Sequence, residues 1–269
     1  MSLGRGFQFR TAVLACVPGV MAAQLTPATI SAWERYIQAA ESRLRSEPDK
    51  WMDQFPDRVE RLRGGDIVAA PTNGRSFCRV PHGLVHDWTG AVFIPTASIA
   101  DVLAVLRDYD LYARAYAPTV RSAELISRDG DRESYRIRYL RKALFATVVL
   151  DIEYNVQYRR VDEHRWFSTS VSTWVRHTQD YGQPGEHALP ADDGSGFVWR
   201  AFGITRLDER DGGVYLEQNS IALSRAVPFE LRWLVEPFVE RLSQALVTAS
   251  LRQTRDAVLC RRAPTQGVY

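Results

Sequence analysis

Between Gly83 and Ala226 the apolar residues fall in short runs with a period of two; on either side they recur every three or four. A period of two sends successive side chains to opposite faces of a strand, while three and four keep them on one stripe of a helix. On the N-terminal side, Thr26-Pro27 supplies a cap and a proline for the first helical position. Ile30, Trp33, Ile37, Ala40 and Leu44 then share a face as far as Ser46. A shorter helix is expected over Asp57–Arg63, stopped by Gly64-Gly65. On the C-terminal side, Leu231, Val235, Phe238, Leu242, Ala245, Ala249 and Gln253 form a stripe opposite Glu230, Arg232, Glu236, Glu240, Gln244 and Arg255. Pro237 is expected to break this pattern, leaving a short turn over Phe229–Glu236 before the helix proper.

The middle section opens with GLVHDWTGAVFIP, a strand with a glycine irregularity at Gly90. Ser98 and Asp101 sit at capping-box spacing and begin a helix whose Val102, Leu103, Leu106 and Tyr109 share a face. A turn through Tyr112–Tyr116 stops at Pro118. Strand-like runs follow over Val120–Arg128, Ser134–Arg141, Thr147–Arg160 and Arg165–His177, and then a polar loop over Gln179–Gly196. The last pair, Phe197–Glu209 and Val214–Ala226, flanks Asp211-Gly212, the strongest turn signal in the chain.

Turn length fixes register. With Asp211 and Gly212 as loop residues, Arg206 lies opposite Glu217, Ile204 opposite Asn219 and Phe202 opposite Ile221. A four-residue loop over Val161–His164 sets Tyr158 opposite Phe167, Tyr154 opposite Val171 and Ile152 opposite Thr173. Leu150, Ile152, Tyr154, Val156 and Tyr158 then make a dry face with Thr169, Val171 and Val175, while Asp151, Glu153, Asn155 and Gln157 make a wet one. In the last pair, one face offers Arg200, Phe202, Ile204, Arg206, Glu217, Asn219 and Ile221; the other offers Trp199, Ala201, Thr205, Leu216 and Gln218. Either could meet the final helix, and an apolar cup holding a few polar groups orients an amphipathic ligand.

The order of elements, and in particular Asp87–Asp129 followed at the end by GGVYLEQNSIALSRAVPFELRWLVEPFVERL, resembles the START-like (SRPBCC, helix-grip) superfamily and a group of exported bacterial START-like proteins. The resemblance covers roughly Gly83–Leu259 and implies an α+β fold in which a curved antiparallel sheet wraps a long C-terminal helix around a cavity. It divides the chain into an N-terminal helical extension and linker (24–82), a helix-grip domain (83–260) and a tail (261–269). It implies a carrier or sensor for a hydrophobic small molecule (a lipid, sterol-like or isoprenoid compound), with transient membrane contact and no cofactor. Expected lining residues are Ile152, Tyr154, Val171, Arg200, Phe202, Ile204, Glu217, Asn219, Ile221, Phe238, Leu242, Ala245 and Ala249. The superfamily also includes cyclase-, aromatase- and hydrolase-type enzymes, for which Glu217, Arg200 and Tyr154 are the candidate proton-moving groups.

Composition narrows the partners. Met1–Ala23 carries Arg5 and Arg10, then a short apolar run ending in small residues, the pattern of a secretory signal peptide. Without it the chain holds 32 basic and 32 acidic residues, a neutrality that argues against nucleic acid as a partner. Export would leave Cys78 and Cys260, either bridged or as two buried thiols. His82 and His86 have the i, i+4 spacing of a helical metal chelate, but Pro81 and Gly83 oppose a helix there, so no metal site is expected.

Overall fold

The structure, a computed structural model, describes residues 25–46, 51–143, 146–191, 196–226 and 232–262; of 141–143, 146, 148 and 232–239 it describes the backbone alone. The chain forms α1 (Pro27–Ser46), α2 (Pro56–Arg63), β1 (Ile67–Pro71), β2 (Cys78–Val80), β3 (Gly83–Pro95), α3 (Ile99–Leu106) and α4 (Tyr112–Ala115). It continues through β4 (Val120–Asp129), β5 (Arg132–Ala143), β6 (Ala146–Arg160), β7 (Arg165–Gln179), β8 (His187–Ala188), β9 (Val198–Arg210), β10 (Gly213–Arg225) and α5 (Arg232–Arg262). The strands make one curved antiparallel sheet in the order β1-β3-β10-β9-β7-β6-β5-β4, with β2 on β3 and β8 on β7. This is the helix-grip fold. α1 starts at its Thr26 cap and α2 stops at Gly64 as expected, and Ser98 and Asp101 close a reciprocal capping box on α3. Among the described residues no helix is long and apolar enough to cross a membrane.

β3 explains why the sheet has two protected faces. Twelve of its thirteen residues are buried, because helices cover it on both sides. On the inner face, Trp88, Val92 and Ile94 pack with Leu207, Val214 and Leu216 against α3 and against Val247, Leu251 and Val258 of α5. On the outer face, Val85, Phe202, Ile204, Ile221 and Leu223 pack under Trp33 and Ala40 of α1, and Ala91, Phe93 and Tyr215 pack under Trp51, Met52 and Leu62. The extension also adds β1 and β2 to the β3 side of the sheet.

Several expectations are corrected. β3 pairs without a break through Gly90, so this glycine marks no bulge. A Cβ there would come within 2.7 Å of Val247 and 2.9 Å of Leu251, so the missing side chain lets α5 lie directly on the strand. α5 runs unbroken through Pro237 from Arg232, because a proline near a helix start forfeits few internal hydrogen bonds. Its buried stripe is Val247, Leu251, Thr254 and Val258. Ala245 is exposed and Leu242 and Ala249 are only half-buried. At about 100° per residue, Ala245 and Ala249 lie on the far side of the helix from Val247 and Leu251.

Cys78 and Cys260 are free and exposed, neither bridged nor buried. Cys78 lies beside Val85 near the start of β3, whereas the last turn of α5 reaches Ala104 and Asp108 at the α3 end, beyond the other end of the strand. The proposed signal segment, the tail beyond Arg262 and the Phe229–Leu231 part of the expected turn lie outside the described residues.

Candidate ligand-binding face

Register decides which side chains share the space beneath α5. The last hairpin pairs as turn length dictates: Arg206 with Glu217, Ile204 with Asn219, Phe202 with Ile221. That face is the outer one. Arg200, Phe202, Ile204, Glu217, Asn219 and Ile221 therefore point toward the N-terminal helices, away from α5. Glu217 is 1% exposed; Arg206 donates to it at 2.6 Å and the Met52 backbone N–H at 3.1 Å. Asn219 donates to buried Asp87 at 2.6 Å, and Asp87 also accepts from Thr72 and from Tyr36 of α1. These polar groups fasten the extension to the sheet; burial, and then Asp87, push the Tyr36 hydroxyl well above its ordinary pKa.

The β6–β7 hairpin is shifted one residue from the expected register. Tyr158 pairs with Ser168, Val156 with Ser170 and Tyr154 with Ser172, and an irregularity at Glu153/Tyr154 then brings Ile152 opposite Val175. Val161 and Asp162 both bond back to the Arg165 carbonyl, which takes Arg165 into a five-residue loop in place of the expected four. A one-residue slip exchanges faces. Val171 accordingly lies on the outer face and is 43% exposed, while Ser168, Ser170 and Ser172 face inward. Ile152 and Tyr154 are on the inner face, as expected. Phe238 lies outside the residues whose side chains are described.

The inner face has two parts. One is aromatic. Tyr135 stacks on Tyr109 at 4.4 Å and on Tyr154 at 5.3 Å, with Tyr112 and Tyr116 of the α4 region edge-on nearby. Tyr116 shares a 2.9 Å hydrogen bond with Thr254 of α5, Tyr112 donates to the Leu106 carbonyl, and Tyr109 donates to Glu133. Among the described residues the Tyr135 and Tyr154 hydroxyls have no hydrogen-bond partner, and neither is sealed from solvent. Burial, reinforced by neighbouring tyrosines, raises the pKa of Tyr112, Tyr135 and Tyr154 well above the ordinary phenol value, and burial pushes Tyr116 up to about 12. All four remain neutral donors.

The second part is small and hydroxyl-bearing. Across the sheet, Ser170, Gly203 and Ser220 form one row, and Ser172, Ala201 and Ala222 lie beside it. Gly203 has to be bare, since a Cβ would stand 2.7 Å from the Ser170 hydroxyl. Ser220 is exposed although it sits midway along a central strand, and Ala201, Gly203, Thr205, Gln218 and Ala222 keep partial exposure. The adjacent outer-face residue, Ile221, is 0% exposed. His86, at the edge of this area, shares a hydrogen bond with Ser224, and burial lowers its pKa to about 4. Among the described residues no three His, Cys, Asp or Glu side chains could hold a metal ion.

Sequence reasoning missed Tyr112, Tyr116, Tyr135 and the serine rows. Tyr135, Ile137 and Tyr139 alternate with Arg136 and Arg138 along β5, a period-two signal for an inner aromatic face. The serines gave no comparable signal, because their orientation depends on the loop register.

No protein-family model and no curated protein matches the chain. Solved structures similar to it include a STAR-related lipid transfer protein from Xanthomonas axonopodis, with 18% identity, TM-score 0.45, and coverage of 69% of this chain and 99% of that one. An aromatase/cyclase from a Streptomyces species is 16% identical with TM-score 0.46, covering 68% and 99%. Human STARD10 is 12% identical with TM-score 0.44, covering 78% and 83%. The sheet order and the long helix laid across the sheet give this chain the helix-grip architecture.

Proposed function

We propose that the chain binds a hydrophobic small molecule, of the lipid, sterol-like or isoprenoid kind, between the inner sheet face and α5. The observation that carries this reading is the contrast at two neighbouring residues of β10: Ile221 is sealed while Ser220 is open. A sheet centre that keeps accessible surface under a covering helix is a space for a guest. Aromatic walls supply apolar area, and neutral hydroxyls supply orientation. Of the groups named for a cyclase-, aromatase- or hydrolase-type reaction, Tyr154 lies on the inner face, whereas Glu217 and Arg200 lie on the outer one, which favours carrying over catalysis.

The test is native mass spectrometry of protein purified under non-denaturing conditions, together with titration of an environment-sensitive apolar dye. A co-purifying small molecule or saturable dye binding is expected; the absence of both overturns the reading. Export and brief membrane contact for ligand exchange belong to the same proposal and rest on the Met1–Ala23 pattern. N-terminal sequencing of the protein from its source cells should begin near Gln24; an N-terminus at Met1 or Ser2 overturns export.

A further inference from the structure

α3 buries one stripe, Ile99, Val102, Val105 and Leu106, in the core. Ala100, Leu103, Ala104 and Arg107 recur at the same three-four spacing and make a neighbouring stripe that is exposed or half-buried. With Leu125 and Arg128 of β4, the last strand of the sheet, this stripe lines a solvent-open groove of about 780 Å³. Tyr109, buried and stacked on Tyr135, forms the wall between the groove and the inner sheet face.

Beneath the groove lies one carboxylate. The Glu133 side chain of β5 is 0% exposed, and its Oε1 accepts from Arg107 Nε at 2.7 Å and from Arg128 Nε at 2.6 Å. Its other oxygen accepts from the Tyr109 hydroxyl at 2.6 Å. Because both arginines donate to the same oxygen, their guanidiniums sit side by side. Arg107 also donates to the Gly130 carbonyl, and Arg128 to the Arg107 carbonyl at 2.7 Å. The pair is therefore held in place before any ligand arrives, which lowers the ordering cost of binding. One cation neutralises Glu133, so two leave a single positive charge in excess. Among the described residues neither Nη1 has a hydrogen-bond partner. Elsewhere in the lining, Arg261 of α5 pairs with Asp108 at 2.8 Å, while Asp110 is exposed and has no partner among the described residues.

We infer that this groove binds a small monocarboxylate with a short apolar stem, at a site separate from the space under α5. The carboxylate meets Arg107 and Arg128, and the stem lies along Leu103, Ala104 and Leu125. A planar carboxylate offers two oxygens to two adjacent guanidiniums, the geometry in which arginine binds most strongly. Charge sets the limit. With one positive charge in excess and Asp110 in the lining, a monoanion is favoured over a phosphate monoester, which carries close to two charges near neutral pH. An alcohol of the same length fills the apolar part and leaves the guanidiniums unused.

The test is a chemical-shift titration of the isotope-labelled full chain, following the arginine Nε–H signals, with hexanoate, hexan-1-ol and hexyl phosphate at pH 8 and low salt. Hexanoate is expected to bind saturably and about tenfold more tightly than hexan-1-ol, with hexyl phosphate no tighter than hexanoate. Arg128→Gln should weaken hexanoate about tenfold, and Asp110→Asn should tighten it about threefold. Arg128→Gln also takes a partner from buried Glu133, so its melting is followed in parallel. Asp110→Asn touches no buried group and decides the matter should the arginine variant not fold. Hexan-1-ol bound as tightly as hexanoate, hexyl phosphate bound more tightly, or an affinity unchanged in Asp110→Asn overturns the inference. So does displacement of hexanoate by the apolar dye, which would put it in the internal space and leave the carrier reading standing. Hexanoate binding without any dye binding or co-purifying molecule overturns the carrier reading alone.

Discussion

The outer and inner faces of β9 and β10 are made by the same residues in alternation, yet they do opposite work. Phe202 and Ile221 are locked beneath α1; Ala201 and Ser220, one position away in each strand, face open space. Buried polarity differs too. On the outer face Asp87 and Glu217 are fully engaged by neighbours from the extension, while on the inner face Tyr135 and Tyr154 keep unused donors. A satisfied network fixes one arrangement of the chain. An unsatisfied but accessible one is ready to meet a ligand.

The sharpest way to break this comparison is a pair of adjacent substitutions. Phe202→Ala should cost about 3–5 kcal/mol in urea unfolding, with ligand affinity of the folded fraction unchanged. Ala201→Leu should cost under about 1 kcal/mol and abolish or strongly weaken binding, since it fills space that the fold leaves open. Similar stability losses for the two would erase the distinction between faces. Next in size, Glu217→Ala leaves Arg206 facing an empty partner position, and a loss of about 3 kcal/mol is expected by chemical denaturation. A loss below about 1 kcal/mol would mean the pair behaves as an exposed one.

Gly90→Ala drives a methyl into Val247 and Leu251 and should cost about 1–3 kcal/mol by overpacking. Because α5 must lift to accept it, binding should change as well, unlike in Phe202→Ala; calorimetry on both variants checks this. The smallest effect is the pH dependence from His86. Burial holds its folded-state pKa at about 4, below the unfolded value near 6.5, so the unfolded chain takes up the proton first. The neutral imidazole contributes its full share above pH 6.5. Stability then falls with acidification toward pH 4, by at most about 1.4 kcal/mol per pH unit from this group. His86→Gln should flatten that part of the urea-midpoint profile; an unchanged slope would assign the acid sensitivity to other groups, with His177, also lowered by burial, the next to examine.

Much of the architecture is local chemistry and was legible. The Thr26-Pro27 start of α1, the Ser98–Asp101 box and the Asp211-Gly212 turn each act over four residues or fewer, and each forms where the residues dictate. The β9–β10 register followed from the turn alone. The neighbouring hairpin did not, because hydrogen bonds to the Arg165 carbonyl draw that residue into the loop and lengthen it from four residues to five, and that slip moved Val171 outward and three serines inward. On α5 the apolar residues were visible but the phase was not: Ala245 and Ala249 fit a three-four spacing as well as Val247 and Leu251 do, and the bare Cα of Gly90, far away in sequence, selects the latter.

The sequence by itself determined the element order and the pairing of Arg206 with Glu217, since caps, turns and periodicity act between near neighbours; the helix-grip topology came from the resemblance to the START-like superfamily. Only the tertiary structure decided which face of the last hairpin meets α5 and which meets α1. Both faces carry enough apolar surface to be buried, so alternation alone is symmetric between them. The choice came from long-range packing, with Trp33, Trp51 and Met52 of the extension claiming the face that holds Phe202, Ile204 and Ile221, and leaving the serines, Ala201 and Tyr154 to look into the space under the helix.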